Sequence, residues 1–257
     1  MMRRVFAAVV LAYVFIPFFT LMAVPPPAVT GPAAPEQLAG GQALAEQVRS
    51  SVPPENSEIH GKLIIKSEGA QRDIPIVCRV TVKAGSWETD YETAGTAQCG
   101  AERLVVLHST NGPSRYFYAK AASASAPLPK PAPLAAEEAS IPLAGSDFSL
   151  ADLGLEFLHW PVQRQLKGEM RLGEPCDVLE SSNPSAGAIV RVRSDIDREF
   201  HAPLIAVGYD AQGHAVKEYS LHGSSFKKVN GRWRLEKMDI RNKKTGSRTE
   251  LKFDISQ

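Results

Sequence analysis

A strict two-residue alternation near the C-terminus constrains this chain more than any other feature. Thr249, Leu251, Phe253 and Ile255 fall on one side of an extended segment, and Glu250, Lys252, Asp254 and Ser256 on the other. A period of two marks a strand with one dry and one wet face. The residues from Ser194 onward repeat the pattern as successive hairpins. Asn230-Gly231 and Thr245-Gly246 supply residues that tolerate positive φ at the turns. The segment reads as an antiparallel meander, and what its dry face covers decides the function.

The same reading extends upstream. Strands are expected at 57–67, 73–84, 86–94, 102–109 and 114–120, and again at 163–172, 174–182, 188–198, 201–211, 214–229, 231–242 and 247–256. Trp87, Thr89, Tyr91 and Thr93 alternate with Glu88, Asp90 and Glu92, giving an aromatic inner face and an acidic outer one. Val190, Val192 and Ile196 oppose Arg191, Arg193, Asp195 and Asp197. Trp233 and Leu235 are odd-numbered but Met238 and Ile240 are even, so a β-bulge near Glu236-Lys237 is expected to switch the face. A sheet this large curls to protect its edges, and a closed or half-closed barrel leaves a ligand-sized interior.

Two helices are expected. Residues 36–51 place Leu38, Leu44, Ala45 and Val48 on one side, against the poor helix propensity of Gly40-Gly41, and Pro53-Pro54 ends the run. Ser149 and Asp152 form a capping-box pattern ahead of a short helix, with Phe148, Leu153, Phe157 and Trp160 on its apolar side and Pro161 at its end. Between strands and helix, residues 121–145 are rich in Pro and Ala. Prolines deny ladder hydrogen bonds, so this stretch reads as a long loop within one domain.

Lys and Arg number 29 against 28 Asp and Glu, so nucleic acid is not the expected partner. Arg3 and Arg4 precede an apolar run from Val5 to Ala23, followed by Pro25, Pro26 and Pro27. That pattern fits a secretory signal peptide over residues 1–23, cleaved after Ala23 or Ala28. The rival is an uncleaved inner-membrane anchor over 5–23, close to the roughly 20 residues a spanning helix needs, although Pro17 weakens it. Either way the expectation is a periplasmic or envelope protein, with residues 24–56 as leader and N-terminal helix and 57–257 as the main domain. Cys78, Cys99 and Cys176 are an odd count. Cys78 shares a face with Ile74, Ile76, Val80 and Val82 as a buried thiol, and a Cys78–Cys99 bridge stays open.

Catalysis finds no motif. There is no GxSxG, HExxH, phosphate-binding loop or dinucleotide fingerprint, and no cofactor or metal site is expected. His60, His108, His159, His201, His214 and His222 are scattered. His222 beside Ser224 and Ser225 reads as an ordinary turn histidine, and Asp195 and Asp197 with Arg191 and Arg193 read as a charge ladder.

The segment from Gly145 to Phe253 resembles the outer-membrane lipoprotein-sorting protein family, the LolA-like group that also includes LolB and RseB relatives. The likeness is carried by SDFSLADL and FLHWP (146–153 and 157–161), by LKGEMRLGEPCDVLES (166–181), and by IDREFHAPLIAVGYDAQG running on to FKKVNGRWRLEKMDIRNKKTGSRTELKF (196–213 and 226–253). The resemblance implies a mainly β fold, a curled antiparallel sheet forming an unclosed β-barrel, with one or two helices on its concave side. It also implies an apolar cavity for the acyl chains of lipoproteins or lipids. The expected lining is Leu63, Ile65, Ile76, Val80, Trp87, Tyr91 and Phe117, with Phe148, Leu153, Phe157 and Trp160 as plug and Trp233, Leu251 and Phe253 from the last strands. The expected function is a non-catalytic carrier or sensor. The alternative is an envelope scaffold or signalling partner that uses the sheet surface and keeps its interior filled.

The C-terminal hairpins are basic: Lys227, Lys228, Arg232, Arg234, Lys237, Arg241, Lys243, Lys244, Arg248 and Lys252 face only Glu236, Asp239 and Glu250. They could dock a membrane surface or an acidic envelope partner, or serve as a solvated face that discourages edge pairing.

Overall fold

Alternation of apolar and polar side chains builds one face of a single large sheet. The computed structural model describes residues 33–97, 99–110, 112–135, 138–221, 225–229 and 232–255, with the backbone alone at Lys228, Arg232 and Trp233. The signal or anchor segment, the Asn230-Gly231 turn and His222 lie outside the described residues. Among those described, no helix is long and apolar enough to cross a membrane. Residues Pro32–Gln257 form one compact unit, so the N-terminal helix belongs with the strands.

The first strands are β1 (Ser57–Ser67), β2 (Ala70–Lys83), β3 (Ser86–Thr93), β4 (Glu102–Ser109), β5 (Gly112–Lys120) and β6 (Ala132–Leu134). After the plug segment come β7 (Val162–Arg171), β8 (Glu174–Ser182), β9 (Arg191–Asp197), β10 (Pro203–Tyr209) and β11 (Ala215–Ser220). The chain ends with β12 (Phe226–Val229), β13 (Arg232–Leu235), β14 (Lys237–Asn242) and β15 (Arg248–Phe253). Thirteen of these form an antiparallel sheet in the order β6-β5-β4-β3-β2-β1-β15-β14-β11-β10-β9-β8-β7. Its two edges, β6 and β7, do not pair, so the curl is an unclosed barrel. Pairing of β1 with β15, Leu63 opposite Leu251, joins the two halves of the chain at the centre of the sheet.

Two strand expectations change. The stretches 214–229 and 231–242 are not continuous. Each is cut, and β12 and β13 leave the main sheet as a separate two-stranded ribbon. The break falls at Glu236, whose N–H donates to the Ser225 carbonyl and whose carbonyl accepts from Phe253 N–H, both at 2.7 Å. The expected face switch is therefore a strand leaving one sheet for another. The second change is β6, which lies inside the Pro/Ala-rich stretch and pairs with β5 through Tyr116–Leu134. Pro133 is tolerated there because β6 is an edge.

Helix α1 spans Pro35–Arg49. Gly41 is buried, and a Cβ on it would lie 2.4 Å from the Gln163 carbonyl. The two glycines that weaken the helix thus let it lie against β7. Leu44, Ala45 and Val48 pack with Leu158, Leu179 and Ile196 in a small cluster, whereas Leu38 stays largely exposed. The larger cluster is built from β1, β2, β4 and β15 with Leu143, Phe148 and Leu150 laid over them.

The convex face is held by ion pairs. Asp90, acidic as expected, takes a two-pronged contact from Arg103 at 2.8 and 3.0 Å. Arg171 reaches Asp195 at 2.6 Å, Arg193 reaches Glu169 at 2.9 Å and Arg191 reaches Glu180 at 3.1 Å, the ladder read from β9. All three cysteines are free thiols. Burial pushes the Cys78 thiol up to about 12, with the nearby Asp90 charge adding to it.

Candidate functional site

The concave face is apolar because every second residue of its strands is apolar, and one irregular segment covers it. After β6 the chain turns inward. Ala139, Leu143 and Ala144 are buried, and the Ala144 N–H donates to Glu102 Oε2 at 2.8 Å, while Lys120 Nζ lies 2.9 Å from Glu102 Oε1. The capping box is present: Ser149 and Asp152 bond reciprocally. The helix it starts, α2, is only Leu150–Leu153. Leu155 has φ of 50° and breaks the run before a 3₁₀ turn at Glu156–His159. Asp147 fastens the segment to β15: its carboxylate accepts from Ser247 Oγ at 2.6 Å and Thr249 Oγ1 at 2.9 Å, and its N–H donates to Thr249 Oγ1. Lys217 Nζ meets Asp152 at 2.6 Å. At Gly154 a Cβ would lie 2.2 Å from the Tyr116 hydroxyl, which itself donates to Glu156 Oε2 at 2.8 Å.

Leu143, Phe148, Leu150 and Leu153 anchor this plug, each buried to 8% exposure or less. At about 1.5–3 kcal/mol per large apolar side chain, they contribute about 6–12 kcal/mol before the cost of ordering the segment. A long acyl chain, at about 0.8 kcal/mol per methylene, offers about 10 kcal/mol on the same face.

Where the plug meets the end of α1 and the strand ends, a pocket of about 240 Å³ remains. Trp87, Leu153, Leu155, Leu158, Phe200 and Pro203 form its apolar walls, and Arg49, His108, Ser114 and His159 its polar side. Trp87 and His108 are opposite each other in the β3–β4 ladder and stack with centroids 4.8 Å apart. Ser114 Oγ lies 3.4 Å from His108 Nδ1 and 3.3 Å from His159 Nε2, and Thr89 Oγ1 lies 3.3 Å from His108 Nε2. Burial pulls the His108 pKa down to about 4, helped by His159. Burial also brings His159 to about 4, helped by the Arg49 charge. Both imidazoles are neutral at physiological pH, so the hydroxyl between them can donate to one and accept from the other. Arg49 Nη1 donates to the Leu158 carbonyl.

The sequence-derived lining is partly gathered here. Leu63, Ile65, Ile76, Tyr91, Phe148, Leu153, Leu251 and Phe253 are all buried in the larger cluster. Trp87 and Leu153 also face the pocket. Val80 is half-buried on the concave side. Phe157 packs beside the smaller cluster. Trp160 is half-buried at the end of the plug, where its carbonyl accepts from Gln163 Nε2 at 3.0 Å. Phe117 is on the other face: its ladder partners are Val105 and Pro133, while Tyr116 and Tyr118 point inward. Its neighbour Tyr116 takes the concave position because the strand's inward residues are the even-numbered ones. The side chain of Trp233 lies outside the described residues. Arg49, His108, Ser114, His159 and Phe200 were not anticipated. His108 could have been found, since it continues the inward face of Leu104 and Val106.

The basic C-terminal hairpins are partly neutralised. Lys243 pairs with Glu218 at 2.6 Å, Lys244 with Asp210 at 3.5 Å, Arg248 with Asp239 at 2.8 Å and Arg234 with Glu55 at 3.7 Å. Acidic partners supplied by β10–β11 and by residues near Glu55 were invisible in the hairpin sequence alone.

Solved structures share this architecture. An outer membrane lipoprotein-sorting protein domain from Vibrio parahaemolyticus is 20% identical, with a TM-score of 0.66 over 84% of this chain and 91% of that one. A DUF1329 family protein from Desulfovibrio piger is 16% identical, with a TM-score of 0.66 over 85% and 92%. A LolA superfamily protein from Nitrosomonas europaea is 16% identical, with a TM-score of 0.56 over 83% and 91%. At such identities the likeness is one of fold, and the fold is LolA-like. No curated protein matches the chain. A family model described as "Uncharacterized protein" matches residues 126–257.

Proposed function

We propose, from the premise that the chain belongs to the family matched over residues 126–257 and has the LolA-like fold, that it is a non-catalytic envelope protein. Its concave face binds an acyl chain of a lipoprotein or lipid, as carrier or sensor. The observation that carries this reading is the 240 Å³ pocket beside an apolar face whose central part is covered by a short, broken segment. A ligand tail starts in the pocket and extends by displacing the plug. Its gain and the plug's loss are of similar size, so the exchange is reversible. Leu63, Ile65, Ile76, Tyr91, Leu251 and Phe253 then form the floor, with Trp87 and Val80 toward the mouth.

Catalysis is not part of the proposal. Ser114 has two imidazoles as neighbours, but both are depressed to about 4, far below the range where a base activates a hydroxyl at neutral pH. Export belongs to the same reading, with residues 1–23 as a cleaved signal or a retained anchor. N-terminal sequencing of the mature protein distinguishes the two.

One observation favours the scaffold reading. The pocket of about 240 Å³ is small for a long acyl chain, which needs the plug to move. The deciding experiment is organic extraction of protein purified from an envelope-producing host, followed by mass spectrometry. Stoichiometric co-purifying lipid or acylated peptide supports the binder. Lipid-free protein that also fails to displace a fluorescent fatty acid supports the scaffold.

A further inference from the structure

The polar side of the pocket contains a charge that no carboxylate among the described residues balances. Arg49 is half-buried at the last turn of α1, and among the described residues its side-chain hydrogen bond goes to the neutral Leu158 carbonyl. Among the described residues no carboxylate pairs with it. That is unlike Arg103, Arg171, Arg191 and Arg193, each of which meets a carboxylate within 3.1 Å. A guanidinium has five donors in a planar fork, so most of Arg49's capacity remains unused. His159 lines the same pocket, and when Ser114 donates to its Nε2 its Nδ1–H is left to donate. The side chains of Trp87, Leu155 and Leu158 supply the apolar part of the same lining.

One fixed positive charge in a partly apolar lining selects an anion attached to a hydrocarbon. We propose that this pocket binds a single-tailed amphiphile with an anionic head, the head on Arg49 and the tail along Trp87 and Leu155. This rests on the acyl-binding reading and adds the head-group class and the tail length. The volume of about 240 Å³ suits a short tail. Longer tails need the plug to open. The C-terminus of α1 opposes an anion with roughly half an elementary charge. The full charge of Arg49 outweighs it, and charge-assisted bonds to a guanidinium fork are among the stronger ones available.

The test uses the mature chain and calorimetric titration with hexanoate, octanoate, octyl phosphate and octanol. Wild type is expected to bind hexanoate or octanoate at one site, and octanol at least about tenfold more weakly. Arg49→Met should lose about tenfold or more in anion affinity while leaving octanol binding unchanged. Arg49→Lys should retain most of the anion affinity, which separates charge from folding. Tighter binding of octyl phosphate than octanoate assigns a phosphate head, and the reverse a carboxylate. Equal binding of octanol and octanoate, or an Arg49→Met protein that binds anions like wild type, overturns the proposal. If a long-chain fluorescent fatty acid binds with no Arg49 dependence and the short anions do not bind, the head-group inference fails while acyl binding stands. If the short anions bind and the long chain does not, the acyl-cargo reading fails and the anion site stands.

Discussion

Gly41 sets how closely α1 can approach the sheet. A methyl group there would meet the Gln163 backbone at 2.4 Å, and backbone cannot swing aside as a flexible side chain can. Gly41→Ala is therefore expected to destabilise the fold by about 1–3 kcal/mol despite its better helix propensity. A lower urea midpoint with unchanged slope would show it. In the sequence Gly40-Gly41 reads only as a weakness in a helix, because its partner Gln163 is distant in the chain. The histidines carry a second residue-level expectation. His108 and His159 have folded pKa values of about 4, below the unfolded value of about 6.5. As pH falls from about 6.5 to about 4 the unfolded state binds protons first, so stability is full above that window and declines through it. Urea midpoints at pH 7.5 and 5 should differ in that direction. His108→Gln combined with His159→Gln should flatten the dependence.

At the scale of elements, strand alternation was legible wherever one face is dry, and β1, β3, β4 and β8 fall within a residue of their expected limits. Two elements were not legible, for different reasons. The β12–β13 ribbon has the same alternation as a continuing strand, and only the hydrogen bonds of Glu236 separate them. Ala132–Leu134 becomes β6 because Tyr116 and Tyr118 offer it an edge, which no local preference of Ala-Pro-Leu announces. The plug helix was overestimated. Its capping box forms, but Gly154 must pass Tyr116 at close range, and the chain leaves helical geometry at Leu155. The plug is tied to β15 mainly by Asp147. Asp147→Ala removes the two hydrogen bonds its carboxylate accepts, each worth about 1 kcal/mol net, and is expected to raise the fraction of molecules with the plug displaced. Affinity for a fluorescent long-chain fatty acid is expected to rise about three- to tenfold. An unchanged or lower affinity would mean that the plug does not gate the concave face.

For the whole molecule, the sequence indicates which side chains share a face but not what packs against that face. Leu63, Leu251 and Phe253 could be grouped from their spacing, yet β1 and β15 are at opposite ends of the chain and their pairing is long-range. The same limit hid the pocket, whose polar groups come from α1, β4, β5 and the plug. Phe117 was misassigned because two adjacent aromatic residues compete for one inward position, and Tyr116 holds it. On the proposed reading, the curled sheet, the plug and the pocket form a trough that exchanges its own apolar segment for a hydrocarbon chain. The most direct measurement is equilibrium titration of the mature protein with a dansyl-labelled long-chain fatty acid. A saturable one-to-one complex with blue-shifted dansyl emission, reversed by excess unlabelled fatty acid, is the expected result. Emission that stays at its value in water at all protein concentrations would contradict it.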